Sequence, residues 1–298
     1  MGAQLRVYKQ KIKSAQTTKK ITRAMELIAA SRIQKAQQRT DAARPYDEAI
    51  TRAVGAVAAL SGDIDHPLLR EREQIRRSAV VVFTSDRGLA GAFSSAILKE
   101  TDRLANMLRQ NGREVDFYLI GRKAVGYFQF RDREFVRSWT GDTDKPSTEV
   151  AHEIGTAVVD SYLKGGAEGG VDEIHLVYTK FLNRVSQTPD VLRLLPLELV
   201  DAGADPAEKR EEPLYEFEPD PDEVLSLLLP RYIGSRIYHA RLESAASEHA
   251  SRQKAMKSAS DNADKLIRTY STLMNNARQA EITQQISEIV GGADALAN

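Results

Sequence analysis

Neither glycine nor proline occurs between Ala3 and Arg44, and neither occurs again between Ser235 and Val290. These two residues are the strongest interrupters of a helix. Each tract can therefore run unbroken, and its 42 or 56 positions would extend roughly 60 or 84 Å at about 1.5 Å per residue. Helices of globular domains usually run about 8–20 residues, so two such tracts leave few architectures open. The chain reads as two helical rods flanking a compact middle that holds most of the glycine and proline.

The second rod has a legible period. Tyr238, Leu242, Ala245, His249, Arg252, Met256, Ala259, Ala263, Leu266, Tyr270, Leu273, Ala277 and Ala280 step by four and three without a slip. That 3.5-residue repeat winds a left-handed supercoil with a partner helix. The seam is rich in alanine, so at about 0.8 kcal/mol per buried CH₂ it stabilises less than a leucine zipper. His249 and Arg252 interrupt its apolar character. The first rod is less regular: Leu5, Tyr8, Ile12 and Ala15 form one stripe, and Ile21, Met25 and Ile28 form another, displaced by a register shift. Its companion face is basic, with ten Lys and Arg in residues 1–40 against the single acid Glu26, a local charge of +9. A solvated helix face is the plain reading of such a surface, and docking on a membrane, a nucleic acid or an acidic protein is the other. Acidic residues gather between Asp201 and Glu223, so the formal net charge of 0 conceals a polarised molecule.

The middle alternates strand and helix signals. Short β-branched runs at 78–84, 115–120, 174–181 and 192–200 suit strands buried on both faces, and helical stretches lie near 91–110, 121–130 and 148–164. This alternation predicts an α/β sheet. Gly165, Gly166, Gly169 and Gly170 read as a flexible turn and Asp201–Pro213 as a polar linker. Pro219 and Pro221 precede a helix start, and Pro230 with Gly234 punctuates before the second rod. The fold class expected is α/β, with a long coiled coil of the terminal helices plus a Rossmann-like α/β domain, divided as 1–60, 61–210 and 211–298.

Chemical motifs are few. Thr84-Ser-Asp-Arg-Gly-Leu-Ala-Gly91 follows the first strand, where backbone N–H groups could meet a phosphate. It fits neither G-x-G-x-x-G nor a P-loop, and the Gly121–Gly126 spacing lacks the Lys and Ser/Thr that a P-loop needs. A tight turn seating a helix on a sheet is the favoured reading, and no cofactor is expected. The five histidines form no metal-ligand spacing and no carboxylates pair for acid–base work. The absence of cysteine excludes disulfides, thiolate metal sites and a Cys nucleophile. No run approaches 18 apolar residues, so no direct membrane span is expected. The N-terminus lacks the apolar core of a secretory signal. From the residues alone, a coiled-coil adaptor with a basic docking helix stays open.

Four segments bring a family into view. Lys19-Lys-Ile-Thr-Arg-Ala-Met-Glu-Leu-Ile-Ala-Ala-Ser31 resembles the N-terminal signature of gamma subunits of F-type ATP synthases, and Ser85-Asp-Arg-Gly-Leu-Ala-Gly91 is similar to the family's loop after its first strand. Ser244–Arg252 and Asn275–Gly292 resemble its C-terminal signature. The resemblance covers essentially the whole chain. It implies a non-catalytic central-stalk rotor, whose terminal helices wrap into an antiparallel coiled-coil shaft inside a hexamer of alpha and beta subunits. The α/β foot would stand on the membrane ring of c subunits (the c-ring) beside epsilon, with proton flow turning the ring and no nucleic-acid partner. The location implied is peripheral, on the cytoplasmic face of the cell membrane.

The resemblance also implies particular contacts. Arg278 and Gln279 match positions that hydrogen-bond a beta-subunit loop, where a guanidinium could hold a carboxylate bidentately. Met25, with Lys19 and Lys20, matches the segment facing the acidic lever of beta, and Arg252 is grouped with that contact although the heptad puts it on the seam. Tyr215, Phe217 and Glu218 match the part of the foot near the ring and epsilon. Ile282, Ile286, Ile289 and Val290 give the shaft tip an apolar stripe suited to a hydrophobic bearing. Exposed ion pairs are worth only about 0–1 kcal/mol each, so a charged shaft can exchange partners with small barriers. Without cysteine, the chain lacks the regulatory pair of chloroplast members, and the absence of a visible presequence fits a bacterial source.

Overall fold

The computed structural model describes residues 2–60, 66–69, 72, 74–197, 218 and 220–297. Their elements are α1 (Gly2–Leu60), β1 (Arg77–Phe83), α2 (Phe93–Gln110), β2 (Glu114–Ile120), α3 (Arg122–Phe130), β3 (Arg137–Trp139), α4 (Thr148–Lys164), β4 (Glu173–Phe181), β5 (Gln187–Leu195) and α5 (Pro221–Ala297). The chain divides into two compact units, residues 31–251 and residues 1–30 with 252–298.

In the 31–251 unit the strands lie in the order β3-β2-β1-β4-β5. The first four are mutually parallel and β5 runs antiparallel along β4. Alternation along each strand sends side chains to two cores. Val80, Val82, Phe117, Leu119 and Val177 meet the apolar faces of α2 and α3. Ala79, Val81, Phe83, Tyr118, Ile120, Ile174 and Leu176 meet α4 and parts of α1 and α5. Because both faces are covered, β1 is buried at six of its seven positions. That is why it reads as an uninterrupted apolar run. Burying each Val, Ile or Leu is worth about 1.5–3 kcal/mol.

Three departures from the sequence reading concern this unit. β3 has only three residues, too few for a periodic signal. β5 begins at Gln187 rather than 192; it is an edge strand whose opening Gln-Thr-Pro-Asp is largely exposed, and an edge is where a strand tolerates proline. The end of the expected 192–200 strand, from 198, and the polar 201–213 segment lie outside the described residues. Third, Pro230 and Gly234 do not punctuate; both lie inside α5. Leu225, Leu229, Ile233 and Ile237 carry one apolar stripe of α5 straight through them into the core. At Gly155 of α4 a β-carbon would lie 3.7 Å from the Cα of Gly234, so the two helices meet where both lack side chains.

The glycine run 165–170 is a filled corner, not a loose turn. A β-carbon on Gly170 would stand 2.0 Å from the Ser161 carbonyl oxygen, and one on Gly166 2.3 Å from Asp172 Oδ2. Asp172 accepts hydrogen bonds from the N–H groups of Gly166, Arg76 and Arg77 at 2.8, 2.8 and 3.0 Å. Burial alone would raise its pKa, but these donors with Arg72 bring it below the ordinary carboxylate value. The corner thus ties the approach to β1 onto the end of α4.

In the other unit, residues 4–29 of α1 lie antiparallel to the C-terminal part of α5. The rings of Tyr8 and Tyr270 stack at 6.4 Å, Lys11 Nζ sits 5.1 Å from the Tyr270 centroid, and Lys19 Nζ reaches Asp264 Oδ1 at 2.6 Å. Leu5, Tyr8, Ile12, Ala15, Lys19, Thr22, Glu26 and Ala29 form the covered row, an unbroken repeat of three and four. The expected displaced stripe is therefore corrected. Ile21 and Ile28 face outward at 55% and 53% exposure, and only Met25 is partly covered. The seam continues through polar residues whose needs are met locally. Thr22 Oγ1 donates to the Thr18 carbonyl at 3.0 Å, and Arg23 donates to Glu26 at 2.8 Å.

The α5 row also differs in phase from the expected one. Met256, Ala263, Tyr270 and Ala277 lie on the seam as expected, but Ser260, Ile267, Met274 and Glu281 alternate with them. Leu266 and Leu273 are exposed instead, at 48% and 39%. The 3.5-residue period holds, but half its positions belong one residue further on.

Candidate functional surfaces and the loop after β1

Most of the residues singled out from sequence lie in the unit of residues 1–30 and 252–298. Lys19 is bound into the seam by Asp264, with the two side chains 43% and 40% exposed. Lys20, Arg278 and Gln279 are exposed, Met25 is partly covered, and Arg252 is buried. The heptad placement of Arg252 on the seam therefore holds. Lys19, Lys20 and Met25 share one stretch of α1, while Arg278 and Gln279 belong to a later stretch of α5. Ile282, Ile286, Ile289 and Val290 are all exposed. Their spacing of four, three and one places them on a single apolar face. Glu218 is exposed; Tyr215 and Phe217 lie outside the described residues.

Within the other unit, the loop after β1 is the place where a nucleotide phosphate might have been sought. The backbone donors that surround it, at the start of α3 and in the 141–143 segment, are already engaged by the protein itself. Asp86 accepts from the N–H of Arg122 at 3.1 Å, of Gly141 at 2.8 Å and of Thr143 at 3.1 Å. The Lys123 N–H donates to the Ser85 carbonyl at 3.0 Å, and the Ala124 N–H to Thr84 Oγ1 at 3.0 Å. The first N–H groups of α3, which would otherwise draw an anion, are thus satisfied by the chain's own carboxylate, carbonyl and hydroxyl. Gly121 is required beneath them, because at φ 93° a β-carbon would lie 2.6 Å from the Thr84 carbonyl oxygen. The loop is a latch joining the ends of β1, β2 and β3.

The segment that Asp86 holds is in turn fastened to both long helices. Arg241 of α5 donates to the Ser147 carbonyl at 2.8 Å and to Asp142 at 2.5 Å. His249 Nε2 lies 3.1 Å from the Asp144 carbonyl oxygen. Arg32 of α1 donates to the Asp144 carboxylate at 2.8 Å. On the other side of α5, Ser244 accepts from the Thr179 N–H at 3.3 Å and Ser247 donates to the Thr179 carbonyl at 3.2 Å. β1 pairs with β4 only as far as Val177, so these hydroxyls continue the β4 ladder where its neighbour has ended. The repeated Ser in Ser244-Ala-Ala-Ser247 has this structural meaning. Sequence reasoning missed Arg241, Asp142 and Asp144, because no local motif marks a long-range ion pair.

Comparison with known proteins decides what such an arrangement belongs to. The family model described as ATP synthase matches residues 4–296. The chain is 64% identical to the ATP synthase gamma chain of Clavibacter sepedonicus over 298 residues, covering 100% of this chain and 99% of that one. It is 62% identical to the gamma chain of Leifsonia xyli with the same coverage. The chain belongs to the ATP synthase gamma-chain family. The central stalk/c-ring structure of the Tetrahymena thermophila mitochondrial ATP synthase matches at a TM-score of 0.59 and 26% identity, over 80% of this chain and 99% of that one. A chain of the Euglena gracilis mitochondrial enzyme shares the fold at a TM-score of 0.66 and 16% identity, over 99% of this chain and 95% of that one. As a gamma chain the protein is a non-catalytic central-stalk rotor subunit of a membrane-associated complex. No helix among the described residues is long and apolar enough to cross a membrane.

Proposed function

We infer that this gamma chain carries rotation of a proton-driven c-ring to the catalytic beta subunits of a hexamer of alpha and beta. Residues 1–60 and 211–298 belong to the shaft, and residues 61–210 to the foot beside epsilon and the ring. The observation that carries this reading is the asymmetric pair of helices. It is only partly covered along its seam, exposes Ile21, Ile28, Leu266 and Leu273 on its sides, and carries the exposed stripe of Ile282, Ile286, Ile289 and Val290 towards the end of α5. Apolar side chains left this exposed in one row mark a surface that another protein covers, and the bearing formed by the hexamer is that cover for Ile282, Ile286, Ile289 and Val290. Arg278 and Gln279 are free to hydrogen-bond a beta-subunit loop, and Lys20 with Met25 to meet the acidic lever. Lys19 reaches the lever only by exchanging Asp264 for it, which is a small step for an exposed pair. Arg252 is buried and supports the lever contact from beneath. Tyr215, Phe217 and Glu218 contact the ring and epsilon. The complex acts as a peripheral assembly on the cytoplasmic face of the cell membrane.

Charge reversal by Arg278→Glu in the assembled enzyme tests the reading. Slower ATP turnover with unchanged assembly is expected. Wild-type synthesis and hydrolysis in that variant would remove Arg278 from the mechanism.

A further inference from the structure

We propose that the segment from Gly141 to Ser147 is the torque arm of the rotor, the piece that obliges both long helices to turn with the sheet. The proposal rests on the rotor reading above and adds where within the 31–251 unit the load passes. A helix packed by alanines can slide or twist against a sheet, because apolar contacts have no direction. Ala240, Ala245, Ala246 and Ala250 give α5 such a surface. Resistance to twist must come from directional contacts, and the 141–147 segment concentrates them.

Its near end is fixed to the sheet: Asp86, after β1, holds the N–H groups of Gly141 and Thr143. The same short segment is also fixed to both helices. Arg241 bridges the Asp142 carboxylate and the Ser147 carbonyl, and its side chain is only 2% exposed. Asp144 offers its carboxylate to Arg32 of α1 and its carbonyl to His249 of α5. Thus one segment of seven residues links the strand ends to two helices that are far apart in sequence. Arg241 is buried although Asp142 is 24% exposed, so removing Asp142 leaves a buried guanidinium without its charged partner, which is strongly unfavourable. The Arg241 link to α5 therefore stays closed under load in a way that a surface pair would not, while the Arg32–Asp144 link to α1, with Arg32 40% exposed, is the weaker of the two. Arg241, Asp142 and Asp144 act as positioning residues: they touch no reacting atom and keep the foot and the helices in step.

The chain has no cysteine, so Lys99→Cys on the exposed face of α2 gives this subunit a single thiol for a rotation probe. The alpha–beta hexamer of the assembled enzyme is immobilised, and the probe's angular fluctuation is measured during pauses of ATP-driven rotation. Hydrolysis rate and proton pumping in vesicles are recorded alongside. For Arg241→Met and Asp142→Asn the expected results are a larger angular variance and a loss of pumping against a gradient, with hydrolysis rate preserved. Arg241→Lys keeps the charge but cannot span both acceptors as a planar fork does, so its variance should fall between. Should Arg241→Met fail to assemble, Arg241→Lys and Asp142→Asn carry the test. Variance and pumping unchanged in the assembled variants would overturn the torque-arm proposal. A probe that never turns on the unaltered subunit, while ATP is hydrolysed, would overturn the rotor reading instead.

Discussion

Glu173 offers a quantitative test of how the α/β unit is held at the start of β4. Its side chain is 2% exposed. It accepts from Ser78 Oγ at 2.5 Å and from Arg113 at 2.6 Å. His175 Nε2 stands 3.2 Å away, outside hydrogen-bond geometry. Burial alone would raise the pKa of this carboxyl; His175, Ser78 and Arg113 overcome it and lower the pKa from 4.5 to about 2. A folded-state pKa below the unfolded one contributes stability that is fully present above the unfolded value, near pH 4.5, and is lost as pH falls towards about 2. At about 1.4 kcal/mol per unit the shift corresponds to roughly 3 kcal/mol. Arg113 remains 26% exposed, so screening brings the expected contribution to about 2 kcal/mol. Trp139, the sole tryptophan, is buried in the same unit, so its fluorescence follows unfolding of that unit alone. Urea titrations of the unaltered chain and of Glu173→Gln should differ by about 2 kcal/mol near pH 7 and converge only as pH falls to about 2. A gap that stays constant across that window would refute an ionised, charge-stabilised Glu173.

Three further predictions concern the same unit. Asp86→Ala should release three backbone donors at partly solvated positions, costing about 2–4 kcal/mol, and hydrogen exchange should quicken at the amides of Arg122, Gly141 and Thr143. Unchanged exchange there would contradict the latch. Ser244→Ala with Ser247→Ala should leave the Thr179 N–H and carbonyl without partners, costing about 1–3 kcal/mol for each buried group, read as a lower urea midpoint of the Trp139 signal. Gly155→Ala should be neutral or stabilising by up to about 1 kcal/mol, since the added carbon makes ordinary contacts and helix propensity improves. Gly155→Leu should destabilise the crossing with α5, and thermal unfolding separates the two.

How legible all this was in the sequence follows from where the signals are local. The buried run of β1 and the apolar faces of α2 and α4 are local, and both elements and spacing follow from them. The helical character of the two long tracts is local as well, being a matter of what is missing from them. The phase of the paired helices is not. On α1 the covered row passes through Lys19, Thr22 and Glu26 while Ile21 and Ile28 face outward. Hydrophobicity therefore points to the wrong stripe, because the outer face of such a helix is itself apolar enough to meet a partner. Leu266 and Leu273 mislead in the same way. Along 240–250 the heptad count loses its power for a different reason: α5 is covered on nearly every side there. The contacts of Arg241 and Arg32 depend on residues about a hundred positions away, and no window of sequence contains both partners. The Ser-Asp-Arg-Gly loop was visible as a turn, but the use of its carboxylate as the anion that fills its own helix terminus needed coordinates.

The central claim is that this chain turns as a unit relative to the hexamer. Its most direct test holds the hexamer to a surface, places the probe at Lys99→Cys, and supplies ATP while single molecules are watched. Stepwise rotation in one direction, arrested when ATP is withdrawn, is the result expected. Sustained hydrolysis beneath a probe that keeps a fixed angle would contradict the account.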